Sequence, residues 1–206
     1  MSHSPEHDPK HQCQHPSDRQ RWAAGFAPPD VYEWFSNCYM MRCDDDYAWG
    51  GGNLHGPYCP DATTQSNAFD FLVFCVLASR RNVVPPGWDW LAFFKVASQF
   101  VCFAFEKSDA QERWGGENVF SALTGSNGGR SLRYTAEVVY GSSCQSGSTE
   151  HPDHIKADEE AGESGAWNDR PPLPDALYDE VGGRAAWEVF ETMLHQKRSA
   201  LASHVC

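Results

Sequence analysis

No stretch of this sequence stays apolar for long. The longest uninterrupted run, Phe71 to Ala78, has eight residues, against the roughly 20 that a membrane-spanning helix requires, so the expectation is that no part crosses a bilayer. Basic residues are scarce too: 16 Lys and Arg face 28 Asp and Glu, for a formal charge of −12. No local cluster of them offsets repulsion from a phosphate backbone, which removes nucleic acid from the expected partners. The Cys-x2-Cys pair of a zinc knuckle is missing, as is the Gly-x-Ser-x-Gly elbow that carries an α/β-hydrolase nucleophile. The start, Met1-Ser2-His3-Ser4-Pro5, has neither the basic nor the apolar segment of a secretory leader, so a cytoplasmic or nuclear location is expected. In such a compartment the eight cysteines are expected as free thiols, with Cys38, Cys75 and Cys102 serving as small hydrophobes.

Aromatic residues, in contrast, are plentiful. Eight Trp, seven Tyr and twelve Phe bury enough surface to offset chain entropy, so a packed core is expected. Apolar side chains recur with helical spacing. Val31, Trp34, Phe35, Cys38 and Met41 predict a first helix over 30–42, started by Asp30 and Glu33. Phe69, Leu72, Val73, Val76 and Leu77 predict a second over 67–80, capped by Ser66 or Asn67. Pro85-Pro86-Gly87 turns the chain, and Asp89 caps a third helix over 90–100. Val101 to Phe105 fits either an extension of that helix or a short strand. Ser108 with Gln111 reads as a capping box for 109–114, with Gly115 as the stop. Ser131 caps a helix carrying Leu132, Ala136, Val139 and Tyr140 inward, and Gly141 ends it. A last amphipathic helix over 184–203 aligns Ala186, Val189, Phe190, Met193, Leu194 and Leu201.

These elements predict a mainly α, irregular multi-helix single domain with flanking segments. Residues 1–29, rich in Pro, His, Gln and Asp, read as a disordered tail, and residues 30–141 as the helical domain. The stretch 142–175 carries eight Asp and Glu against Lys156 and Arg170 and reads as an acidic disordered linker. Residues 176–206 supply the helix that folds back on the domain. His3, His7, His11 and His15 would form one stripe on a helix, but Pro5 and Pro9 break it, leaving adventitious metal affinity.

Several clusters could carry chemistry. Cys43, Asp44, His55 and Cys59 offer zinc's preferred donors around a glycine-rich loop, but their spacing is poor for a zinc site, and the preferred reading is a polar loop with a buried thiol. Asp44-Asp45-Asp46 is read as part of that loop. A calcium loop starting at Asp44 fails, because Trp49 and His55 stand where Gly and Glu are needed. Gly125 to Ser131 resembles a phosphate loop only faintly, with Arg130 in place of Lys. Glu106, Lys107 and Asp109 lie beside an aromatic segment and could form an acid/base group; the preferred reading is that Ser108 and Asp109 start a helix and Glu106 or Lys107 pairs with Arg113 or Arg133.

Arg42-Cys43-Asp44-Asp45-Asp46-Tyr47, Asp70-Phe71, Pro85-Pro86-Gly87-Trp88, Ala104-Phe105-Glu106-Lys107-Ser108-Asp109, Trp114-Gly115, Leu132-Arg133 and Glu137-Val138-Val139-Tyr140-Gly141 together resemble a region that accompanies MYND-type zinc fingers in fungal and algal proteins. The likeness covers residues 38–141. The finger's paired cysteines have no counterpart here, so its zinc and its peptide binding are not implied; a shared fold is. The sequence is thus read first as a non-catalytic protein–protein interaction or scaffold module whose partner is another protein, with no resident cofactor. The alternatives are a metal-dependent enzyme using Asp44, Asp45, Asp46 and Glu106, and a zinc-stabilised structural domain.

Overall fold

A computed structural model describes residues 20–23, 26–49, 54–60, 62–120, 131–143 and 174–202. The histidine stripe, the Gly125–Arg130 segment and most of the acidic stretch lie outside the described residues. Among those described, the chain is mainly α-helical and contains no strand. No helix among the described residues is long and apolar enough to cross a membrane.

Eight helices follow one another among the described residues: α1 (Asp30–Trp49), α2 (Thr64–Arg80), α3 (Trp90–Ala97), α4 (Lys107–Trp114), α5 (Gly116–Phe120), α6 (Leu132–Tyr140), α7 (Asp175–Asp179) and α8 (Arg184–Ala202). Single 3-10 turns form at Arg21–Ala23 and Gly56–Tyr58. α1 is the central post. Its residues from Trp34 to Cys43 are all buried, because α3 packs on one side and α6 on another. A helix surrounded in this way is apolar on more than one face, as its mixed content of Trp34, Phe35, Cys38, Tyr39, Met40 and Met41 provides. α2 is buried along the whole Phe71 to Ala78 run, so the longest apolar stretch of the sequence is a core helix rather than a membrane segment.

The helix ends follow local chemistry. The Asp89 carboxylate accepts from the Ala92 amide at 2.9 Å and starts α3, and the Ser131 hydroxyl accepts from Tyr134 N at 2.9 Å and starts α6. α2 begins three residues earlier than its apolar stripe predicts, since Thr63 and Ser66 form a reciprocal capping box. Gly141 closes α6 in a left-handed conformation, φ 72°, where a Cβ would run into the Arg81 guanidinium. Asp89→Ala removes the α3 cap and is expected to cost about 1 kcal/mol, readable as a shift in urea midpoint at unchanged slope.

Four expectations are corrected. The first helix does not stop at residue 42 but runs to Trp49, taking Asp44, Asp45 and Asp46 out of a loop and into its last turns. Acids are disfavoured at a helix C-terminus, and cations brought by other segments offset the cost. Trp22, placed in the tail, is 1% exposed, stacked 5.1 Å from Trp34 and 4.8 Å from Phe35, with its indole N–H donated to Val83 O at 2.9 Å. Val101 to Phe105 forms turns, neither helix nor strand. The Ser108/Gln111 box is not what opens α4: Glu106 is its N-cap, without a side-chain bond.

α8 packs on α2 and α3. Phe190 is fully buried, 5.2 Å from Phe71 of α2 and 5.5 Å from Phe94 of α3. Trp187, outside the predicted stripe, is also buried and meets Phe94 edge-on at 5.2 Å. Arg80 pairs with Glu180 at 2.7 Å and clamps the approach to α8.

Candidate functional site

The last turns of α1 carry four of the ionisable residues singled out by sequence, Cys43, Asp44, Asp45 and Asp46. Successive residues on a helix point about 100° apart, so three adjacent carboxylates cannot share one ligand. Asp44 turns to the Tyr58 hydroxyl, which donates to it at 2.9 Å, and to the Lys107 ammonium. Asp45, buried, receives a two-pronged bond from Arg133 of α6, at 2.6 and 2.8 Å. Asp46 accepts from Arg42 Nε one turn back at 2.6 Å. Arg42 is itself buried, donates to Ser142 O at 2.6 Å and stacks over the Tyr140 ring at 4.7 Å.

Glu106 and Asp109 are exposed on α4. Arg113 pairs with Asp30 and Glu33, and Arg133 with Asp45, so neither takes the predicted partner on Glu106 or Lys107. The carboxylate set of Asp44, Asp45, Asp46 and Glu106 therefore does not converge. Cys59 is exposed and stands outside the cluster that forms.

That cluster is built around His55, which precedes the Gly56–Tyr58 turn. Its Nε2 lies 3.0 Å from Asp46 Oδ2, and its Nδ1 lies 2.8 Å from Asp70 Oδ2 and 3.8 Å from Cys43 Sγ. The Tyr39 hydroxyl donates to Asp70 Oδ2 at 2.6 Å. Cys43, His55 and Asp70 place one ligand-type atom each within 4.8 Å of one another, the one such group of three or more among the described residues. The sequence reading grouped Cys43 with His55, which lie 3.8 Å apart, but did not group Asp70 with them, whose only local signal is its position one face away from the apolar stripe of α2.

Burial alone would lower the His55 pKa, but Asp70, Cys43 and Asp46 outweigh it and hold the ring well above its ordinary value. The Cys43 thiol is pushed up by burial, with His55 opposing, and Tyr39 is pushed well up by burial and by Asp70. A carboxylate at each ring nitrogen favours the protonated imidazole, and burial favours the protonated thiol.

Gly56 has φ 55°, and a Cβ there would fall 2.5 Å from Tyr39 Oη, 3.0 Å from Cys43 Sγ and 3.2 Å from Asp70 Oδ2. Gly56→Ala is accordingly expected to cost at least about 1–2 kcal/mol from the left-handed backbone alone, measured by urea denaturation, with further loss from the displaced Tyr39 hydroxyl.

Comparisons of the chain with protein families, with curated proteins and with solved structures each found no match.

Proposed function

We propose that the protein is a non-catalytic interaction module whose core is a receptor for an amphipathic helix, a site that its own α8 fills. The observation that carries this reading is the spacing of the α8 anchors. Trp187, Phe190 and Leu194 are all buried at i, i+3 and i+7, the pattern by which a helix is read in an apolar groove. The stretch joining this helix to the core holds half of the chain's net charge and few apolar residues, a composition suited to a solvated tether that lets a docked segment leave and return. The ionisable residues at the end of α1 fit the same reading: Asp44 is engaged by Tyr58 and Lys107, Asp45 by Arg133, and Asp46 by Arg42 and His55. The likeness of residues 38–141 to a region found beside MYND-type fingers implies a shared fold and brings no reaction with it.

The test is exchange. A protease site inserted between residues 144 and 173 of the full chain is cut after folding, and a labelled peptide of residues 174–206 is added. The labelled helix should replace the resident one and saturate, and a peptide with Trp187 and Phe190 changed to alanine should not. Failure to exchange, or loss of the fold on cutting, would remove the reading.

A further inference from the structure

We infer that Cys43, His55 and Asp70 form a binding site for one zinc ion, through Sγ, Nδ1 and Oδ2. Thiolate, imidazole and carboxylate are all zinc donors, and the three come from three different segments: α1, the lead into the Gly56–Tyr58 turn, and α2. A tetrahedral ion with bonds of about 2.0–2.3 Å sets its ligand atoms about 3.2–3.7 Å apart. The observed 3.8 Å between Cys43 Sγ and His55 Nδ1 nearly meets this, and the 2.8 Å between Nδ1 and Asp70 Oδ2 has to open slightly.

Two further observations point to an ion. The first is the support behind the histidine. With Nδ1 committed to a metal, Nε2–H donates to Asp46 at 3.0 Å, and Asp46 is held in turn by buried Arg42 at 2.6 Å. A carboxylate on the far ring nitrogen is the arrangement that fixes tautomer and orientation in zinc sites. The second is Gly56. Its backbone closes on the donor set so tightly that a Cβ would fall 2.5 Å from Tyr39 Oη, 3.0 Å from Cys43 Sγ and 3.2 Å from Asp70 Oδ2, and the atoms gathered at this point are oxygen and sulfur rather than carbon. The fourth position falls to an oxygen, the Tyr39 hydroxyl or a water reaching the exposed edge of His55, whose side chain is 21% accessible. On loading, one divalent ion enters and the protons held by the Cys43 thiol and His55 Nδ1 leave to solvent.

This site differs from the set expected from sequence, since Asp70 replaces Asp44 and Cys59 plays no part. It also stands apart from the helix-receptor reading: exchange of α8 neither requires nor excludes a metal.

The probe is cobalt(II), added to the full chain after removal of metal by chelation. The wild type should bind one equivalent with a thiolate-to-cobalt charge-transfer band and the visible bands of a tetrahedral ion, and zinc should displace it and raise the melting temperature. Cys43→Ser should lose the charge-transfer band, and Asp46→Asn should weaken binding about 10–100-fold. Cys59→Ser, Cys13→Ser and a variant with His3, His7, His11 and His15 replaced should behave as wild type. X-ray absorption of the zinc-loaded wild type, which needs no variant to fold, should show one sulfur and the remaining ligands nitrogen or oxygen. A wild type without the band, a band that survives Cys43→Ser or vanishes with the tail histidines, or a shell with no sulfur or more than one, would each overturn the assignment.

Discussion

Arg133→Met is expected to lower the unfolding free energy by about 3–5 kcal/mol, because it leaves the Asp45 carboxylate charged and buried without its partner. Asp45 has a side chain only 2% exposed, and its two oxygens are matched to Arg133 at 2.6 and 2.8 Å. The pair spans 88 positions of sequence and ties the acidic end of α1 to α6. Arg133 also donates to Phe120 O at 2.9 Å, so α5 is loosened by the same change. The double variant Asp45→Leu, Arg133→Met should recover most of the loss, since a buried pair replaced by apolar side chains of similar volume is often neutral. A double-mutant cycle by urea denaturation reads the coupling directly. Equal loss in the single and double variants would mean that the pair is not what holds the end of α1.

Phe190→Ala should cost a comparable amount, about 3–5 kcal/mol, from a side chain that is fully buried against Phe71, Phe94 and Trp187. For a domain whose whole stability is about 5–15 kcal/mol, that is a fifth or more. Val189 sits next to it on the same helix but is only partly buried, and Val189→Ala should cost far less. Thermal denaturation of the two variants side by side separates an α8 that is part of the core from one that merely rests on it. Similar melting temperatures would contradict the packing.

The starts and stops of helices were legible because they depend on neighbours in sequence. Asp89 bonds three residues ahead and Ser131 does the same, and Gly141 ends α6 by its own backbone freedom. The inward stripes were legible for the same reason, since spacing alone decides which side chains share a face.

Trp22 and the Asp44–Asp46 run were not. A Trp among prolines and glutamines has no periodic companions, and its burial follows from Trp34, Phe35 and Val83, all brought to it by the fold. Three consecutive acids read as a solvated loop until Lys107, Arg133 and His55 arrive from elsewhere to neutralise them. Asp70 was hidden by its surroundings, a single polar position beside the most apolar stretch of the chain.

From its own residues, then, the chain specified that it would be helical, where several helices begin or end, and which stripes face inward, because those outcomes are set by hydrogen bonds and spacings within a few positions. Which charges pair, how far α1 continues, and the meeting of Cys43, His55 and Asp70 were decided only in three dimensions. Those contacts join segments whose separation in sequence carries no local energetic trace, and a buried charge is tolerable only once its distant counter-charge is in place.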